Sequence, residues 1–445
     1  MSSSNWYIIF ISLTAACGGF LFGFDTALIS GALSPLIRYF GLEDSPVLQG
    51  WIVSSVVLGS VAGAILSGYL SDKLGRKNTL VLTAILFLVS AAGAALSYTF
   101  GVFILFRLVC GLAVGIAAMV SPLYLAEVSP SHIRGRMVAL NQLTLTIGIL
   151  LAYCSNLFIQ RWMEDNELVA WRWMLGVAAL PSLLFLGLLA RVPESPRYLA
   201  LQANRSAEAF MILEKLVGPC NAQLEMERIS RLAEQRILPM RELVRPAFRK
   251  ATWMALFLSI VSQLSGIDLV LHYGPVILER TGMSLGDALG SQLVFGIILV
   301  IFTTVAMWKI DTLGRRPLLL IGNLGIVISL IFIGYFLSAE GYTETGLLIA
   351  ISFFVASFAL SLGPAPWIIM AELFPSSIRG QAMALATFVL FGTNWLVAQL
   401  FPLSVHHLGE RNTFWILAAC ALPTFWFVWK QLPETKGKLL DDSIN

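Results

Sequence analysis

Charge is scarce in this chain. Of its 445 residues, 12% are Asp, Glu, Lys or Arg and 57% are hydrophobic. A soluble domain carries about 25% charged residues, so these charges are too few to cover a water-soluble protein of this size. Histidine is scarcer still: His132, His272, His406 and His407 are the whole set. The five cysteines, Cys17, Cys110, Cys154, Cys220 and Cys420, form no C-x-x-C pair. Four lie in apolar runs and read as packing thiols rather than redox or metal groups. No nucleophile–base pair, metal cluster or phosphate loop stands out. The chain therefore does not read as an enzyme, and no catalytic residue, metal ligand or cofactor is assigned. The net charge of +3 is too mild to suggest nucleic acid. Alternating ten-residue segments of the β-barrel type are absent. Residues Met1 to Asn5 lack a basic region, so the first apolar run is expected to be a retained helix rather than a cleaved signal.

What the chain has in abundance is apolar length. Apolar spans cover residues 6–31, 47–71, 79–98, 100–124, 137–159 and 170–191, and resume at 250–276, 285–308, 317–338, 345–370, 381–403 and 412–430. Runs of about 18 residues or more can cross a hydrocarbon core of roughly 30 Å. Their interiors are rich in Gly, Ala and Ser, which lets membrane helices approach closely. The expected fold is an all-α integral membrane protein with twelve transmembrane helices in two pseudo-symmetric six-helix bundles. The lipid bilayer is thus an expected partner. The polar stretch 192–249 reads as a small cytoplasmic helical insert, with Ala209, Ile212, Leu213 and Leu216 on one face of a helix. The expected domains are 1–191, the linker 192–249, 250–430 and a tail at 431–445.

Orientation follows from Lys and Arg. Of the 29 basic residues, Arg38, Arg161, Arg172, Arg280 and Arg411 fall on one set of loops and Arg107 within a span. The others lie on the opposite set and at the C-terminal end, which predicts cytoplasmic termini in a cell membrane.

The halves repeat at an offset of about 240 residues. Asp72-x-x-Gly75-Arg76-Lys77 is echoed by Asp311-x-x-Gly314-Arg315-Arg316. Ala126-Glu127 followed by Pro130-Ser131-x-Ile133-Arg134-Gly135 is echoed by Ala371-Glu372 followed by Pro375-Ser376-x-Ile378-Arg379-Gly380. Pro193-Glu194-Ser195 is echoed by Pro433-Glu434-Thr435. Two related bundles rocking around a central site would have this pattern.

These motifs resemble the sugar porter family of the major facilitator superfamily, and bacterial proton-coupled sugar symporters within it. The resemblance runs from Gly18 to Gly437. It also rests on Gly-Gly-Phe-Leu-Phe-Gly-Phe-Asp-Thr at 18–26, Pro-Glu-Ser-Pro-Arg at 193–197, Gly-Pro-Ala-Pro-Trp at 363–367 and Pro-Glu-Thr-Lys-Gly at 433–437. It implies proton-coupled uptake of a monosaccharide or related polyol by a protein expected to work as a monomer. A facilitative uniporter, and a proton-coupled exporter of another small solute, are the alternatives.

Charged residues at the ends of the spans read as a cytoplasmic gate: Asp72, Arg76, Glu127, Arg134, Glu194 and Arg197 in the first half, and Asp311, Arg315, Glu372, Arg379 and Glu434 in the second. Arg binds carboxylates bidentately, and pairs that form and break with the bundles would give two states. Asp25, Arg107 and Asp268 lie inside spans, where an isolated charge costs about 2.5–3.5 kcal/mol on insertion scales. The resemblance makes Asp25 and Arg107 the proton-coupling pair. The repeat maps Asp25 onto Asp268, where the family usually has Asn, and His272 lies one turn further on. By the same resemblance Phe22, Gln142, Gln263, Asp268 and Trp367 contact sugar, with Asn394 as a further polar contact. Ile149, Ser262, Leu299 and Phe391 depart from the family pattern, which leaves the particular sugar open.

Overall fold

Backbone hydrogen bonds close within helices throughout. The computed structural model describes residues 3–130, 134–202, 205–234, 238–338 and 343–434. Among the described residues the regular elements are α-helices and two short 3₁₀ turns, at Glu164–Asn166 and Met240–Val244. A lipid-spanning chain needs this, because hydrocarbon offers no partner for an open N–H or C=O.

The first repeat contains α1 (Ser3–Phe40), α2 (Pro46–Leu74), α3 (Arg76–Ala95), α4 (Phe100–Val128) and α5 (Arg134–Trp162), with α6 (Glu167–Gly176) and α7 (Ala179–Leu189) sharing one pass. The linker holds α8 (Pro196–Leu201), α9 (Ser206–Val217) and α10 (Pro219–Glu234). The second repeat opens with a broken pass, α11 (Pro246–Leu264) and α12 (Ile267–Arg280), followed by α13 (Leu285–Leu313) and α14 (Arg315–Phe336). A second broken pass joins α15 (Glu344–Leu360) to α16 (Ala365–Glu372), and α17 (Ser376–Lys430) ends the described fold.

Two helices are longer than the sequence predicts. α1 continues past residue 31 because Ala32, Leu33 and Leu36 are fully buried. The two expected spans 381–403 and 412–430 both lengthen until only Gly409, with φ 80° and ψ 162°, separates them, so α17 is two helices meeting at a kink. At about 1.5 Å per residue, each leg on its own side of Gly409 is long enough to cross a roughly 30 Å core once. Counting its two legs separately gives twelve passes.

Contacts divide the chain into two units. One comprises Met1–Asp25, Gly59–Gly148 and Leu175–Ile237, the other Thr26–Leu58, Ile149–Met174 and Leu238–Asn445. In the first unit, backbones cross almost without side chains between them. A Cβ added to Gly63 of α2 would stand 2.3 Å from the Leu112 carbonyl oxygen of α4, and one on Gly115 would stand 2.2 Å from that of Ser60. The linker helices gather around Leu213, Ala222 and Ile229. Ala209 and Leu216 are also buried, and Ile212 is half-buried.

The second unit shows how proline is accommodated. Proline has no N–H to give the carbonyl four residues earlier. Pro275 thus frees the oxygen of Leu271, and Pro402 that of Ala398. Both are met by side chains: Tyr153 Oη and Gln292 Nε2 each donate to Leu271 O at 3.2 Å, and Tyr273 Oη donates to Ala398 O at 3.3 Å.

The α2–α4 crossing gives a test. Gly63→Leu is expected to cost roughly 1–3 kcal/mol by overpacking and to lower the melting temperature in detergent. Gly68→Ala on the same helix, with nothing within 4 Å of its added Cβ, should not lower it.

Candidate functional site

The repeated motifs meet in space. Arg76 begins α3, and its Nε and Nη2 donate to Glu127 Oε2 and Oε1 at 2.9 and 3.2 Å, a two-pronged pair. Its Nη1 donates to the carbonyl of Ser71 at 3.1 Å and to Asp72 Oδ1 at 3.3 Å. Glu194 accepts the backbone N–H groups of Arg76, Lys77 and Ser195 on one oxygen at 2.9, 3.0 and 2.8 Å. The N-terminus of α3 is thus an anion site filled by the chain's own carboxylate. Ser195 Oγ donates to Glu127 Oε2 at 2.5 Å and closes the ring of contacts.

The second repeat reaches the same solution. Arg315 Nη2 donates to Glu372 Oε1 at 2.9 Å, and Nη1 to the Ile310 carbonyl at 3.1 Å. The N–H groups of Arg315 and Arg316 donate to Glu434 at 3.0 Å each. Gly75 and Gly314 both have φ 91°. A Cβ on either would stand 2.3 Å from Glu194 Oε2 or 2.7 Å from Glu434 Oε2. Glycine is required there both by backbone conformation and by the carboxylate packed against it.

Other members of the expected gate behave differently. Arg197 is exposed and takes part in no ion pair among the described residues. Arg379 donates Nε to the Phe374 carbonyl at 3.2 Å, while its Nη2 is buried without a partner. The side chains of Arg134 and Asp311 lie outside the described residues. The ion pairs described at these helix ends each join residues of one repeat.

Asp25 of α1 and Arg107 of α4 form a buried pair. Arg107 Nη1 donates to both oxygens of Asp25, at 3.2 and 3.3 Å. The side chains are 9% and 3% exposed, and Arg107 Nε is buried with no partner. A proton on Asp25 would remove the charge attraction and leave the guanidinium uncompensated in an apolar setting. The pair can therefore change its bonding with one proton. Phe22, three residues before Asp25, and Gln142 of α5 are half-buried. Gln142 makes no side-chain hydrogen bond among the described residues, so its amide is available.

In the other unit the seventh pass breaks at Gly266, whose φ is 81°. This break puts Asp268 in the first turn of α12, where the helix dipole favours a carboxylate. Asn394 Nδ2 of α17 donates to Asp268 Oδ2 at 2.6 Å. Asp268 has no ion pair among the described residues. Gln263, one turn before the break, donates to Ser262 Oγ at 3.3 Å and leaves its Oε1 buried without a partner. His272 is 5% exposed. Trp367 stands half-buried in the first turn of α16, after Pro364 and Pro366.

Sequence reading missed Ser30, Tyr153 and Gln292, which form a polar chain with Leu271 O. The available signal was Pro275, which frees a carbonyl four residues earlier. It also missed that Glu194 and Glu434 cap helices.

Twelve helical passes, a twice-built set of interlocked charged motifs and an ion pair buried within the first repeat define a secondary transporter of the major facilitator class. The family described as "Sugar (and other) transporter" matches residues 11–443. The arabinose-proton symporter of Bacillus subtilis is 36% identical over 444 residues, 99% of this chain and 95% of that one. The D-xylose-proton symporter of Escherichia coli K12 is 35% identical, covering 98% and 95%. A partially occluded inward-open structure of the xylose transporter XylE from E. coli matches with a TM-score of 0.86 at 34% identity, over 97% of this chain and 99% of that chain. The chain belongs to the sugar transporter family, and it is a multi-pass membrane transporter, not an enzyme.

The Gly75–Glu194 contact can be tested directly. Gly75→Ala is expected to cost about 1–3 kcal/mol through strain, read as a lower melting temperature. With Glu194→Ala the loss should be less than additive, since one contact is removed twice.

Proposed function

We propose that the protein takes up a monosaccharide or related polyol together with protons, by alternating access. The observation that carries this reading is the buried Asp25–Arg107 pair. A static salt bridge here would cost more in desolvation than apolar packing, whereas a protonatable one supplies a switch. The relatives named as proton symporters support the same reading. Phe22, Gln142, Gln263, Asp268, Trp367 and Asn394 are the proposed sugar contacts, with the amides and carboxylate bonding hydroxyls and the aromatic rings covering C–H faces. Both chain termini are assigned to the cytoplasm of a cell-membrane protein that works as a monomer, with residues 192–249 joining the repeats 1–191 and 250–430.

The charged clusters are assigned to the cytoplasmic side, and their geometry refines the gate. Arg76–Glu127 and Arg315–Glu372 hold the helix ends of their own repeat together, so each repeat can move as one piece. Any bond between repeats on that side would come from other members, such as Arg134 or Arg379.

Uptake into liposomes of radiolabelled arabinose, xylose, glucose and myo-inositol, under an imposed proton gradient, tests the reading. Related proteins are named for glucose and myo-inositol as well as for the pentoses. Gradient-driven accumulation of at least one is expected. Asp25→Asn should abolish accumulation and keep counterflow exchange at equal pH. Accumulation by Asp25→Asn that still responds to pH would show that another group carries the proton.

Asp268→Asn is expected to change substrate affinity by about tenfold, the scale of one hydrogen bond to a charged group, and to leave the pH profile of transport unchanged. A shifted profile between about pH 5 and 8, the histidine range, would instead place Asp268 and His272 in the proton path.

A further inference from the structure

A buried polar chain in the second unit joins four helices at one carbonyl. Pro275 leaves Leu271 O without its helical donor. Gln292 of α13, 1% exposed, donates Nε2 to it at 3.2 Å. The Oε1 of the same residue lies 2.9 Å from Ser30 Oγ of α1, and Ser30 is fully buried. Ser30 shares its proton between Gln292 and the Ala27 carbonyl at 2.7 Å. Tyr153 of α5 is the second donor to Leu271 O, at 3.2 Å. Helices α1 and α5 of the first repeat are thereby tied to α12 and α13 of the second.

The two ends of Gln292 distinguish it from a packing residue. On α1 its partner lies five residues after Asp25. On α12 its partner lies three residues after Asp268. The side chain must donate at one end and accept at the other, which a primary amide does and a hydrocarbon of the same size does not. We propose that Gln292 is a positioning residue that couples α1 to α12, so that a change in the Asp25–Arg107 pair is passed to the helix bearing Asp268. Movement of α1 either carries α12 with it or breaks a buried bond that has no water to replace it. The proposal rests on Asp25 as the proton carrier.

Three substitutions separate coupling from simple support. Gln292→Leu keeps the bulk and removes both bonds. Ser30→Ala removes the α1 end and leaves Leu271 O satisfied. Tyr153→Phe removes the other donor to Leu271 O and leaves the α1 link intact. Each purified full-length variant would be placed in liposomes with the sugar taken up by the wild type from arabinose, xylose, glucose and myo-inositol. Accumulation under a proton gradient and counterflow at equal pH would both be measured. We expect Gln292→Leu and Ser30→Ala to lower accumulation by about tenfold, the scale of one buried hydrogen bond, with counterflow near the wild-type rate. Tyr153→Phe should keep both, and the Ser30→Ala, Gln292→Leu double variant should be no worse than Gln292→Leu alone. A Ser30→Ala protein with wild-type accumulation overturns the proposal, even if Gln292→Leu fails to fold. So does a parallel loss of accumulation and counterflow in all three variants, which is the mark of structural support. A wild type that accumulates none of the four sugars counts against the proton-coupled reading itself, and is thus told apart from failure of the coupling residue.

Discussion

A polar group inside a bilayer has no water to fall back on, and this constraint organises the molecule at every scale. It selects helices, whose backbone groups pair internally. A proline inside a helix then creates a local exception, and at two of them a side chain repairs it. Tyr153 and Gln292 repair the one made by Pro275, and Tyr273 repairs the one made by Pro402. The same rule governs charge. Asp25 is tolerable in its span because Arg107 binds both of its oxygens, and Arg107 because Asp25 is there.

At the helix ends the constraint is solved twice with the same parts. A glycine with positive φ turns the chain into α3 or α14, the new helix exposes its first N–H groups, and a glutamate more than a hundred residues away fills them. The arginine that follows the glycine reaches a second glutamate on α4 or α16. The three motifs of each half are thus one structure. Their common offset records a repeated three-dimensional contact. The copies differ at their rims: Ser195 adds a bond to Glu127 in the first, and Arg316 donates to the carbonyls of Val428 and Trp429 in the second.

Much of this was legible in the sequence, for reasons that are local. Apolar length marks the passes, and the motif spacing marks the repeat. Asp25, Arg107 and Asp268 draw notice because charge is costly where they sit. What was not legible depends on contacts distant in the chain. Nothing in the order of residues pairs Glu194 with the N–H groups of Arg76 and Lys77, or Asn394 with Asp268. The extension of both helices up to Gly409 was hidden because His406, His407 and Glu410 look like a loop, although the helical ends accommodate them, with the two histidines exposed and Glu410 half-buried. Gln292 looked like one polar residue in an apolar run. Its meaning comes from Pro275, seventeen residues earlier, and from Ser30 in the other repeat.

The two pseudo-symmetric aspartates sit in different surroundings, and their proposed roles differ accordingly. Asp25 faces a guanidinium, so its charge is matched and a proton changes the balance of a buried ion pair. Asp268 faces the neutral amide of Asn394 and the start of a helix, which orient the carboxylate without neutralising it. A group held in this way keeps acceptor capacity for a ligand's hydroxyls, whereas one bound on both oxygens by arginine has much less to offer. The partner rather than the aspartate therefore separates the proposed roles, with the proton at α1 and the sugar at α12. This separation creates the need for a physical link between the two helices, since two sites on separate repeats can drive one another only through bonds that both of them bias. The bonds from Ser30 to Gln292 and from Gln292 to the carbonyl freed by Pro275 are the ones proposed for this link.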